Sequence, residues 1–183
     1  MHPQLDDVRR EFLSAQQRLH QLADEVPDER WNERPDPDRW SVGECVEHLN
    51  ITARAYRPLV LAGLAECRRH DDPVPRRFRR DPIGWLLWRT AGPPVRYRTR
   101  TPAAFVPTGG ATADELLAEF DRLQAEQIGW LVMADGLAVD RVRIASPFDP
   151  RVRYTLFAGL SILPRHQHRH IWQAEQVARA LRP

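Results

Sequence analysis

Apolar residues recur at intervals of three and four through four long stretches of this chain. In the first, Leu5, Val8, Phe12, Ala15, Leu19, Leu22 and Val26 form a single seam. That spacing predicts a bundle helix over residues 5–26, ended by Pro27. Ser41-Val42-Gly43-Glu44 is a capping box, in which the serine oxygen accepts from a backbone N–H and the glutamate reaches back. The helix it opens carries Val42, Cys45, Val46, Leu49, Ala53, Tyr56, Val60, Leu64 and Cys67, and Pro58 in its interior predicts a kink or a division. Thr112-Ala113-Asp114-Glu115 is a second capping box. It opens a third helix along Leu116, Phe120, Leu123, Gln127, Trp130, Leu131 and Ala134, with Gly136 placed to close it. The fourth stripe runs from Leu156 through Leu160, Leu163, Ile171, Ala174 and Val177 to Leu181.

Strand signal is slight, with Ala138 to Ile144 the one short stretch to consider. The segment before Arg39 is polar and proline-rich and reads as a connection. The segment from 68 to 111 is irregular. Within it Pro82-Ile83-Gly84-Trp85-Leu86-Leu87-Trp88 predicts a short helix, broken by Gly92-Pro93-Pro94. A connection this long inside a compact domain is usually functional or covers a site. The expected architecture is all-α: one domain over residues 1–183, a four-helix bundle with a long crossover between its second and third helices.

Composition narrows the chemistry. All 27 basic residues are arginine, which removes Schiff-base and P-loop lysine mechanisms. Ten of them lie between Arg68 and Arg100 against Asp71, Asp72 and Asp81, a local charge of +7. Arginine forks suit carboxylates, although a solvated basic loop in an arginine-rich chain accounts for the charge more simply. Nucleic-acid binding needs exposed aromatics interleaved with a basic face, and here the charge sits in one loop. The net charge of +2 makes no general case for nucleic acid or membrane. No signal core or membrane-length apolar run is present, so a cytoplasmic protein is expected. Cys45 and Cys67 fall on one helix about 33 Å apart, too far to bridge, which suits a reducing compartment.

The candidate chemistry lies in a gap of the fourth stripe. Continued through His166-Gln167-His168-Arg169-His170, the stripe lands on Gln167 and His170, with His166 at its edge. Residues four apart share a helical face, so His166 and His170 project together, while His168 is turned roughly 200° away. Two inward imidazoles need partners. A divalent metal satisfies both; carboxylates or water would also do so. A third donor is best sought in His48, which borders the buried face of the second helix. His2, His20 and His70 are placed less well, the first near a fraying end. Cys45 and Glu44, just before His48, are candidates for a fourth ligand or a group supporting a ligating ring. Glu44 is also the only candidate base, in competition with its role in the capping box.

Trp40-Ser41-Val42-Gly43-Glu44 leading to His48-Leu49, then Ser146-Pro147-Phe148, then His166-x-x-x-His170-x-x-Gln173, resembles the DinB/YfiT superfamily of metal-dependent proteins, in order and spacing over nearly the whole chain. The resemblance implies that His48, His166 and His170 bind a divalent metal at one end of the bundle; imidazole suits zinc, nickel and iron alike, and zinc or nickel is expected. It also implies an enzyme in which a low-molecular-weight thiol is activated at the metal and attacks a small-molecule electrophile, a thiol S-transferase type. A homodimer through exposed helix faces fits the architecture. The alternatives are a non-catalytic metal-binding protein of stress response or interaction, and a metal-dependent hydrolase. Pro164, two residues before His166, predicts a bend that would re-aim that ring.

Overall fold

A computed structural model describes residues 1–94 and 100–181. Arg96 and Arg98 of the basic stretch lie outside the described residues. Five helices and one small hairpin make up the described chain: α1 (Pro3–Glu25), α2 (Val42–His70), α3 (Pro82–Ala91), α4 (Ala113–Ala134), β1 (Arg143–Ala145), β2 (Arg153–Thr155) and α5 (Leu156–Ala180). The fold is all-α in character. α1 and α2 each pack against both α4 and α5, so the four long helices stand in the cyclic order α1–α4–α2–α5, and α3 lies outside against α5.

Local sequence accounts for the helix ends. Both capping boxes form: Ser41 with Glu44 on α2, Thr112 with Glu115 on α4. Gly136, at φ +79°, follows the last turn of α4 in the left-handed conformation that only glycine adopts without strain. His2 does not fray. Its Nδ1 accepts from Gln4 N and caps α1, and its ring packs 4.1 Å from Phe78.

Pro58 does not divide α2, which runs unbroken from Val42 to His70. The proline is solvent-exposed, so water can satisfy the carbonyl deprived of its helical donor. Pro164 likewise lies within an unbroken α5. The strand reading needs correction. Of 138–144 only Arg143 and Ile144 are extended, and they belong to a hairpin whose second strand pairs Ile144 with Tyr154. Three-residue strands are too short to show alternation.

The apolar interior falls into two clusters. One gathers Leu5, Val8 and Phe12 with Tyr56, Val60, Trp130, Phe157 and Leu160. The other gathers Ala15, Leu19 and Leu22 with Val42, Val46, Leu49, Phe120, Ile171 and Val177. Between them three of the four long helices contribute buried polar side chains: His48, Asn50 and Thr52 from α2, Gln124 and Gln127 from α4, Gln167 and His170 from α5. Gln124 bonds the Phe12 carbonyl at 2.6 Å and Gln167 at 2.7 Å, which carries the layer across to α1. The histidines therefore sit between two apolar clusters rather than at an end of the bundle.

Candidate metal centre

α2 and α5 pack together, and each brings one part of the cluster. His48 lies two turns into α2, 2% exposed; His170 is 7% exposed on the inner face of α5, with His166 one turn before it and partly buried. One ring nitrogen from each lies within 4.8 Å of the others. The Nε2 atoms of His166 and His170 are 3.1 Å apart. Two imidazoles on a tetrahedral zinc at about 2.0–2.1 Å would hold their nitrogens about 3.3 Å apart. Pro164 has thus not turned His166 away from its partner.

The surroundings set the protonation of the three rings. His48 Nδ1 is 2.8 Å from the Phe105 carbonyl. A carbonyl only accepts, so Nδ1 carries the proton and Nε2 keeps its lone pair. Burial holds the His48 pKa below the ordinary imidazole value, against the opposing pull of that carbonyl. Burial, reinforced by the neighbouring rings and Arg169, holds His166 and His170 well below it. Three neutral donors converge, as a divalent cation requires. His170 Nδ1 and Gln173 Oε1, a donor and an acceptor on adjacent turns of α5, are both buried with no other partner among the described residues, and Gln173 pulls the His170 pKa up against burial. A carbonyl oxygen there suits an imidazole whose other nitrogen is committed to a metal. The residues fit a bound divalent ion.

Three aromatic residues from three different connections enclose the rings. Trp40, just before α2, lies 5.0 Å from His48 and 6.0 Å from His170. Phe148, in the hairpin turn, lies 5.9 Å from His166 and 4.3 Å from Phe105. Phe105 ends a short 3-10 turn, Ala103–Phe105, in the long crossover. The crossover is pinned beside His48 by Glu47, which accepts from Thr108 N at 3.1 Å and Gly109 N at 2.9 Å. Phe105 carries no signal of its own in the sequence, because its carbonyl does the bonding and any residue has one. The length of the crossover was the only pointer to a covering role.

The other candidates are engaged elsewhere. Glu44 accepts from Ser41 N at 2.8 Å and pairs with Arg34, bonded at Nε at 2.9 Å. Burial raises its pKa, but Arg34 and the Ser41 backbone outweigh that and hold it below the usual carboxylate value. Its carboxylate serves the cap and the ion pair. Cys45 is buried in the second apolar cluster, its thiol pushed up to about 12 by burial and by Glu44. Among the described residues neither joins the group of His48, His166 and His170. His20 pairs with Asp121 at 2.9 Å, and His70 lies 3.7 Å from Glu66.

Of the basic stretch, Arg68, Arg69, Arg76, Arg77, Arg79, Arg89 and Arg100 are solvent-exposed. Trp88 packs against the first apolar cluster, whereas Trp85 is 52% exposed and belongs to no core.

No curated protein and no solved structure matches this chain. The family model of the DinB superfamily matches it over residues 11–174, from the first seam to past the paired histidines. That span includes His48, His166, His170 and all four long helices in part or whole. The chain belongs to the DinB superfamily.

Proposed function

We propose that the protein is a metal-dependent enzyme that activates a low-molecular-weight thiol at His48, His166 and His170 for transfer to a small electrophile. The observation that carries this reading is the donor set: three neutral imidazoles with no fourth protein ligand gathered beside them among the described residues. Three protein ligands with an open position is the catalytic pattern of zinc, whereas structural sites are closed by four. Bound there, zinc or nickel would keep its full double charge and lower the pKa of a thiol or water sharing its coordination sphere. The protein's own residues bind and orient. The Phe105 carbonyl fixes the His48 tautomer, Gln173 is placed to do the same for His170, and Trp40, Phe105 and Phe148 restrict water. Two buried, unbridged cysteines agree with a reducing cytoplasmic setting, and no helix among the described residues is long and apolar enough to cross a membrane.

A non-catalytic metal-binding role has one observation in its favour, the placement of the histidines between two apolar clusters, where an ion would brace the core. Metal analysis of the purified protein and of His170→Ala, followed by a screen of thiols with electrophiles, tests the proposal. It expects about one divalent ion per chain, lost in the variant, and thiol-dependent turnover that chelation abolishes. Equal metal content in both proteins overturns the site. Metal bound with no turnover, and a melting temperature that collapses with chelator, favours the bracing role.

A further inference from the structure

On the far side of α5 from the paired histidines, a cleft of about 540 Å³ opens between α1, α3 and the first half of α5. His168, the histidine turned away from the cluster, lines it, and its ring bonds the Glu11 backbone carbonyl across to α1. The lining is apolar at the partly exposed Trp88, backed by the buried Val8 and Phe157, and charged at Glu11, Arg80 and the mutually paired Asp7 and Arg10. The guanidinium of Arg80 lies over the Trp88 ring at 4.2 Å and the Phe157 ring at 4.9 Å, and its Nε is buried without a partner. Among the described residues, no ion pair joins Arg80 to Glu11 and no hydrogen bond reaches the Glu11 carboxylate, although each feels the other's charge. A second cation, Arg165, lies over Trp88 at 4.6 Å with its Nε on the Trp88 carbonyl at 3.0 Å.

The Arg80 side chain is half-buried and makes no hydrogen bond among the described residues, so a guanidinium that cannot shed its proton lines the cleft without an acceptor. A simple anion would fill it but would face the Glu11 carboxylate across the same cleft. A simple cation would meet two arginines. Only a molecule carrying both charges answers both ends, with an apolar group between them for the partly exposed Trp88. We propose that this cleft binds a small zwitterion of the amino-acid or short-peptide class, with its carboxylate on Arg80 and its ammonium on Glu11. The cleft has the volume of a small-molecule site, and fixed charges of opposite sign give orientation as well as affinity.

Calorimetric titration of the full chain with L-phenylalanine, 2-phenylethylamine and 3-phenylpropionate separates the two charges. L-Phenylalanine is expected to bind at least about tenfold tighter than the amine, which lacks the carboxylate, and than the acid, which lacks the ammonium. Arg80→Met keeps the apolar stem and should weaken L-phenylalanine by about tenfold or more. Glu11→Gln should do likewise, and it carries the test should the arginine variant not fold. Binding should persist in chelator, which separates this site from the histidine cluster. No binding of L-phenylalanine up to about 10 mM, or an analogue that binds as tightly, overturns the proposal. So does retention of full affinity in Glu11→Gln.

Discussion

Gln173 stands one turn beyond His170 with a buried amide oxygen, and His170 Nδ1 has no other partner. Groups that orient a ligating histidine are typically worth about 10- to 100-fold in metal affinity. Gln173→Leu, of similar volume but without an acceptor, is therefore expected to weaken zinc binding by about tenfold or more, with the helix content of the chain unchanged by circular dichroism. Unaltered affinity in a competition titration would remove Gln173 from the centre. Glu44 illustrates the opposite outcome. Its proximity to His48 in the sequence suggested a base, but a carboxylate already bonded to Ser41 N and to Arg34 has little capacity to take a substrate proton.

Among the elements, α3 shows what holds the crossover against the bundle. Gly84 is buried, and a Cβ there would collide with the Ala158 side chain on α5 and with Asp81 Oδ1 at 2.7 Å. Asp81 in turn accepts from Thr155 N at 3.0 Å and pairs with Arg143 at 3.0 Å. The glycine thus sets how closely α3 lies on α5. Gly84→Ala must push the two apart, at about 1–3 kcal/mol by analogy with overpacked cores. The expected result is a lower midpoint in chemical denaturation, and a midpoint at or above that of the parent would show that α3 docks loosely. Trp88 and Arg80 ride on this contact, so the same change should widen the cleft between α1, α3 and α5.

Over the whole molecule, three neutral buried imidazoles make stability depend on pH. In the metal-free protein His48, His166 and His170 all titrate below 6.5, held down chiefly by burial. The unfolded chain takes up protons near 6.5 while the folded chain does not. Between 6.5 and the depressed values the unfolded state therefore binds more protons, and stability falls as pH falls. The melting temperature of metal-free protein should drop from about pH 7.5 to about pH 5, and the drop should shrink when His166 and His170 are both replaced by Gln. A flat profile over that range would show the rings charged or solvated. A divalent ion should add stability at neutral pH, about 2.7 kcal/mol at a hundredfold excess over its dissociation constant, and acid should reverse the gain by protonating the ligands.

Much of this molecule could be read from the residues in order. Helix seams, two capping boxes and a closing glycine are local, because each depends on neighbours within a turn or two, and they set four long helices at nearly the right bounds. The facing of His166 with His170, and the turning away of His168, follow from the helical repeat alone. What local pattern does not carry is the distance between helices. That His48 meets the pair, that the Phe105 carbonyl selects its tautomer, and that the polar side chains form one layer between two apolar clusters depend on how α2, α4 and α5 pack. The cleft at Arg80 and Glu11 depends likewise on a short helix folding back on α5. Those contacts join residues from 43 to 122 positions apart, where a chain's periodicity has no information and only the packing of complete helices decides.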